Sequence, residues 1–163
     1  MKTYVTKLLP EEVAKHWDII KYAVEQSMPP TSYDHPDMMN RVLSAALIGI
    51  VEVWAYYTKS EDKPSIFEGI GLSKEVYDEV SGTKNLLIYC LYGYNPVKLI
   101  GWRQKISVIT KYAKAKGCSQ VVAYSNNPFI IKMMHGLGAN TEQTFISLDV
   151  NETVKKLNGL SEV

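Results

Sequence analysis

Two glutamates, Glu52 and Glu68, fall inside runs that alternate like β-strands. A carboxylate held on a strand can take a proton from a group beside it, although on an alternating strand a glutamate is more often an outward residue in water. Tyr92, Tyr94 and Tyr124 carry phenols that could supply a proton, but with eleven tyrosines in the chain the nearness of any one carries little weight. His135 sits where a short helix ends, a favourable place for a partial positive charge, while His16 and His35 have no partner identifiable in sequence. No Ser/Cys, His and Asp arrangement is legible, so the three histidines are read as non-catalytic. Cys90 and Cys118 form neither a CxxC pair nor a zinc-type cluster, and both are read as small buried hydrophobes, with no metal site.

The elements that must position these residues follow from periodicity. Pro10 suits a first helical position, Glu11 and Glu12 favour the positive end of the helix, and Val13, Trp17, Ile20 and Val24 line one face until Met28-Pro29-Pro30 forbids continuation. A second helix is expected from Pro36 to Leu47, with Asp34 placed to cap it and Gly49 to end it. After Gly49 the period becomes two through Val51, Val53, Ala55 and Tyr57, then residues 59–65 form a polar loop and residues 66–72 return as a hairpin strand. Residues 73–83 are polar and indecisive. Residues 86–92 form a nearly continuous apolar run, as in a central strand covered on both faces. Gly93-Tyr94-Asn95-Pro96 breaks it, and a helix is expected over residues 101–116, stopped by Gly117. A short strand over 121–124, a brief helix after Asn127-Pro128 and a last strand over 143–150 complete the chain, with room for one strand over residues 2–8. The alternation in the second half implies a crossover helix on a mixed sheet.

Composition excludes several classes. The 163 residues, 46% hydrophobic and 21% charged, suit a globule able to bury its own core. Eighteen basic against 17 acidic residues leave a net charge of +1, which gives no global reason to expect nucleic acid or an anionic membrane as partner. The most apolar stretch, residues 42–57, contains Glu52 and falls short of the ~20 residues a spanning helix needs. The N-terminus lacks an apolar run of signal length, so a cytoplasmic product is expected. The organisation expected is one domain over residues 1–150 with a tail over 151–163.

The segment Ala115-Lys116-Gly117-Cys118, continuing through Val121-Val122-Ala123-Tyr124-Ser125-Asn126-Asn127-Pro128 to Met134-His135-Gly136-Leu137-Gly138-Ala139, resembles the second half of the GNAT acetyltransferase superfamily. There a helix ends in an Ala-Lys-x-Gly-like turn, a strand leads to an Asn, and the next helix finishes in Leu-Gly-Phe. The resemblance implies an α/β (α+β) fold: a mixed, mostly antiparallel central sheet of about six or seven strands with helices on both faces. It further implies acetyl-CoA as co-substrate, in a splay between the strands over 86–92 and 121–124. The pantetheine arm would pair with backbone near Leu91 and Tyr92, and the pyrophosphate would meet amides at the start of the next helix.

Two departures from the family pattern are visible. The phosphate loop, Gln/Arg-x-x-Gly-x-Gly/Ala in the family, aligns with Lys98-Leu99-Ile100-Gly101-Trp102-Arg103, which keeps Gly101 and places Arg103 where a small residue is usual. Lys98, Arg103 and Lys105 either grip phosphates with their side chains or are solvated charges. Secondly, the tyrosine that returns a proton to the thiolate in many members is here Met134, which cannot donate one. Asn127 fits a position that touches the CoA arm, or else caps the helix before Pro128.

The resemblance therefore implies catalytic candidates Glu68, Tyr92 and Tyr124, and cofactor-binding candidates Leu91, Tyr92, Lys98, Gly101, Trp102, Arg103 and Asn127. The first reading is acyl transfer from acetyl-CoA to an amine by direct attack. The alternative is a catalytically degenerate GNAT-like structural or interaction protein. The chain looks like the small proteins of this type encoded by tailed bacteriophages, where a virion location and partner subunits replace the cytoplasm and an amine acceptor. An aromatic set, Trp54, Tyr56, Tyr57, Tyr92, Tyr94 and Trp102, either serves an interface or fills the core and lines the splay. A homo-oligomer, paired through the last strand and the tail, is compatible with both.

Overall fold

Alternating residues of one strand separate the two cores of this protein. In β2 (Glu52–Lys59), Val53 and Ala55 point into one hydrophobic cluster while Trp54 and Tyr56 point into another. The computed structural model describes residues 1–32, 34–94 and 99–160, without the side chains of residues 99 and 100.

Five strands form one sheet in sequence order: β1 (Lys2–Lys7), β2, β3 (Ile66–Asp78), β4 (Thr83–Gly93) and β5 (Gln120–Ala123). The first three pairings are antiparallel, and β4 with β5 is parallel, so α4 (Leu99–Ala115) is the crossover that a parallel pair demands. On one face α1 (Pro10–Lys15), α2 (Trp17–Gln26) and α3 (Met38–Leu47) bury Val13, Ile20, Val24, Val42 and Ala46 against Ile70, Leu72 and Cys90. On the other, α4 buries Ile109 and Ala113 against Trp54, Tyr56 and Leu86. The fold is GNAT-like: mixed, mostly antiparallel, with helices on both faces.

Several expectations are corrected. The first helix is two, broken at His16 (φ −109°, ψ 22°), and the break keeps Val13, Ile20 and Val24 in one core. The α3 helix starts at Met38 rather than Pro36; its N-cap is Asp37, not Asp34, and Gly49 follows it in the left-handed region (φ +82°), as a residue ending a helix often does. The β3 strand continues to Asp78, because the polar residues after Ser73 pair with β4 in a hairpin that runs beyond the helices. Asp78 closes that hairpin by accepting from Val80 and Ser81 amides, with Gly82 at φ +72°. The sheet has five strands rather than six or seven: residues 143–149 join no ladder, and an alternating pattern without a paired neighbour is not a strand.

Contact density divides the chain into two units, Met1–Ala123 and Tyr124–Val163. The second contains α5 (Pro128–Gly136) and α6 (Val150–Leu160). Asn127 caps α5, its side chain accepting from the Phe129 amide at 3.0 Å, with Pro128 at the first helical position. Among the described residues no helix is long and apolar enough to cross a membrane.

Candidate functional site

Strict alternation along β3 would place Glu68 on the face of Ile70 and Leu72, among the residues that α1, α2 and α3 cover. A β-bulge prevents this. Tyr56 pairs with Gly69 and Tyr57 with Phe67, so Glu68 is the extra residue, and it turns to the α4 face. There the Thr58 hydroxyl donates to its Oε1 and Lys105 Nζ donates to its Oε2 at 3.0 Å. The lysine also stands 5.4 Å over the Tyr56 ring. Both charged side chains are largely covered, Lys105 with 14% and Glu68 with 24% of the side chain exposed. Lys105, read from sequence as a phosphate grip or a solvated charge, is instead the partner of Glu68.

Tyr56, Glu68 and Lys105 line a solvent-open cleft together with Ile88, Leu91, Gly93, Trp102 and Ile106. Glycines make the room: on the cleft face of β3, Gly69 and Gly71 carry no side chain, and a Cβ at Gly71 would lie 2.5 Å from the Tyr56 hydroxyl. Burial of that phenol raises its pKa far above the ordinary value, which keeps it protonated. Trp102 is 6% exposed, and its Nε1 has no hydrogen-bond partner among the described residues.

The wall of the cleft is a strand edge. Parallel pairing between β4 and β5 ends at Ile88 with Ala123, whereas β4 continues to Gly93. A second bulge, with Leu72 paired to Cys90 and Ser73 to Ile88, makes Tyr89 the extra residue and resets which β4 side chains face α4. Past the bulge the orientation of the peptide groups is fixed: the Tyr94 amide donates to Glu68 O at 2.7 Å, and the Tyr92 carbonyl faces Gly69. Alternation then directs the peptide N–H and C=O of Leu91 and Gly93 away from β3, to the side where β5 has ended. Of the two backbone positions expected to meet an arm, Leu91 has this orientation and Tyr92 does not.

The Tyr92 side chain is on the opposite face, in a cluster sequence reasoning missed because its organising member, Tyr22, lies on α2. The Tyr92 ring stands edge-on to Tyr22 at 5.7 Å and to Tyr94 at 4.9 Å, while Tyr22 and Tyr94 are 28° from parallel at 6.4 Å. Tyr94 donates its hydroxyl to Ile19 O at 2.9 Å. A hydrogen bond with Tyr22, aided by burial, raises the pKa of Tyr92; burial foremost raises that of Tyr94.

The remaining candidates are placed as follows. Lys98 lies outside the described residues. Arg103 is exposed, and Gly101 faces Thr3 of β1, whose hydroxyl a Cβ would meet at 3.1 Å, so its lack of a side chain serves helix-on-strand packing. Asn127 and Tyr124 belong to the second unit, where Asn127 is the α5 cap and the Tyr124 ring stands 5.0 Å from Phe145. Glu52 does not line the cleft: it accepts from Ser73 Oγ and Tyr112 Oη, both at 2.9 Å, within a network that Trp54 Nε1 completes through Ser73 at 2.8 Å. Burial pushes the Cys90 thiol up to about 12. Among the described residues no group of three or more His, Cys, Asp or Glu could hold a metal ion.

No family model and no curated protein matches this sequence. Solved structures do match in fold. AAC(6')-Iy in complex with the bisubstrate analogue CoA-S-monomethyl-acetylneamine superposes with a TM-score of 0.63 at 14% identity, over 91% of this chain and 99% of that one. The aminoglycoside acetyltransferase meta-AAC0020 from an uncultured soil metagenomic sample, in complex with sisomicin, gives 0.62 at 15% identity, over 90% and 94%. Ribosomal-protein-alanine N-acetyltransferase from Brucella melitensis biovar Abortus 2308 gives 0.60 at 12% identity, over 91% and 99%. The chain thus shares, over nearly its whole length and theirs, the fold of these acetyltransferases.

Proposed function

We propose that this protein is an acetyl-CoA-dependent N-acetyltransferase of the GNAT superfamily. The observation that carries the reading is the edge of β4 beyond β5, where among the described residues the peptide groups of Leu91 and Gly93 have no strand partner beside a cleft, in a fold shared with acetyltransferases. An amide-bearing arm laid along that edge would exchange hydrogen bonds with Leu91 and Gly93 as a further strand does. Acetyl-CoA would supply the acyl group. The Leu91 N–H is suited to polarise a carbonyl beside it, and Ile88, Leu91 and Ile106 give the cleft an apolar wall against which an acyl group can pack.

Attack by an amine forms the carbon–nitrogen bond and breaks the carbon–sulfur bond; the amine gives up one proton and the departing thiolate takes one. Glu68 is the proton acceptor we assign, directly or through water, and Lys105 must release its carboxylate for the proton to be taken. The proton the thiolate takes is assigned to water, because the Tyr92 phenol lies on the face of the sheet away from the cleft. Arg103 is an exposed cation available to a phosphate.

One observation favours a second reading, a GNAT-like interaction protein without turnover: both Glu68 oxygens are already engaged, by Thr58 and Lys105. Calorimetric titration with acetyl-CoA and desulfo-CoA, with ATP as control, separates the two when paired with an assay of thiol release over an amine panel. Saturable binding near micromolar, about −8 kcal/mol, with turnover is expected. Binding without turnover over the panel supports the second reading, and no binding at millimolar acetyl-CoA overturns the first.

A further inference from the structure

The net charge of +1 conceals a segregation of charge. All 17 acidic residues lie outside residues 80–141, a stretch that holds eight of the 18 Lys and Arg. On the α2 and α3 face, cations have a carboxylate one turn away: Lys21 pairs with Glu25, and Arg41 with Asp37. On the other face, α4 and β1 lie side by side, joined where the Gln104 side chain accepts the Thr3 amide, and neither contains an acidic residue. From these two elements and the turn after α4, four exposed lysines gather about Tyr112. Lys7 Nζ and Lys116 Nζ stand 5.7 and 5.6 Å from its ring centre, and Lys111 and Lys114 flank it on the exposed side of the helix. Among the described residues none of the four forms an ion pair. The carboxylates nearby are engaged, Glu52 by Tyr112 Oη and Ser73 Oγ, and Glu75 by Lys84. The helix dipole favours positive charge at this end of α4, but it does not account for Lys7, which comes from β1.

We infer that this corner of α4 and β1 binds the phosphate backbone of a nucleic acid, through Lys7, Lys111, Lys114 and Lys116 and without reading base sequence. Ammonium groups act on phosphates as point charges. Each phosphate they neutralise releases condensed counterions, a gain that scattered surface pairs with an acidic peptide lack. An anionic bilayer fits less well: among the described residues the exposed side of α4 offers one large apolar side chain, Val108, and so no apolar wedge to enter a membrane. The corner is also separate from the end of α4 where Arg103 is available to a phosphate, because Lys111 and Lys114 lie about 12 and 16 Å farther along the helix. Binding there requires no part of the acyl transfer.

Fluorescence anisotropy with a labelled 20-base-pair DNA duplex tests this on the whole chain. Saturable binding with a Kd of about 1 μM in 50 mM salt is expected, about a hundredfold weaker in 200 mM salt and equal for a duplex of scrambled sequence. The double change Lys111→Gln with Lys114→Gln is expected to lower affinity at least tenfold and to reduce the slope of log affinity against log salt by about 2. Lys21→Gln with Arg41→Gln removes the same charge from the opposite face and is expected to change neither, circular dichroism confirming the fold of both variants. No binding in 50 mM salt, or equal losses from the two double variants, overturns the proposal. So does a preference for phosphatidylserine vesicles over the duplex, which would make the corner a membrane contact. Acetyl-CoA titration of the Lys111→Gln, Lys114→Gln protein is expected to match the parent; a loss there would merge the corner with the cofactor site and overturn the proposal too.

Discussion

Glu68 shows how a residue can be legible in its element and not in its direction. Its place in a strand was legible, but period-two reading assigns it to the face of Ile70 and Leu72, and only the bulge at Tyr56/Tyr57 turns it to Lys105. A bulge depends on the partner strand, which no local pattern in β3 contains. Lys105 was legible as a cation near the start of a helix, though its partner, 37 positions away in sequence, was not. Removing one member of so covered a pair leaves the other charge without its counterion. We expect Lys105→Met to cost about 2 kcal/mol in urea unfolding and the double change Lys105→Met with Glu68→Leu to recover most of it. Equal stability of the single variant and the parent would mean the pair is solvated and contributes nothing. Glu68→Gln should keep the fold and lower kcat about a hundredfold if the carboxylate accepts the proton, an outcome read by thiol release under saturating acetyl-CoA.

At the scale of elements, the long periodic segments were readable: the apolar faces of α1, α2 and α3, the apolar run of β4, and the crossover helix between β4 and β5. What failed were the ends and the phase. The β3 strand outlasts its hydrophobic pattern because the hairpin with β4 is held by backbone pairing beyond the core. The cluster of Tyr22, Tyr92 and Tyr94 depends on α2 lying across β4, a tertiary fact that spacing does not encode. Gly69 lies close against β4, where a Cβ would lie 2.3 Å from the Tyr92 carbonyl oxygen. Backbone cannot give way as a side-chain tip can. Gly69→Ala is expected to cost about 1–3 kcal/mol and to weaken acetyl-CoA binding, since residues 91–93 must move; unchanged unfolding midpoint and affinity would show that β3 and β4 are farther apart there.

Across the whole molecule the two faces of the sheet share one trait: acidic protons are buried in each. Cys90 on the first face titrates near 12 against an ordinary 9.0, and Tyr56 and Tyr112 on the second lie well above their ordinary 10.0. Raised folded pKa values mean that the unfolded chain loses these protons first. Stability is then full below pH 9 and falls as pH rises through the folded values. The urea midpoint should accordingly drop between pH 7 and about pH 10.5, with Cys90 unreactive to thiol reagents until the chain opens; a flat midpoint would place these groups in water. The same view of the whole molecule brings out the two rims of its sheet. At one rim, β1 carries Lys2 and Lys7 at its ends, and the side chain of Gln104 already accepts the Thr3 amide at 3.0 Å. At the other, β5 is the outermost strand and flanks β4 only as far as Ile88, so among the described residues the rim is stepped, first the edge of β5 and then residues 89–93 of β4. Each step is short enough to offer a small linear ligand a few hydrogen bonds and a second polypeptide little ladder to hold.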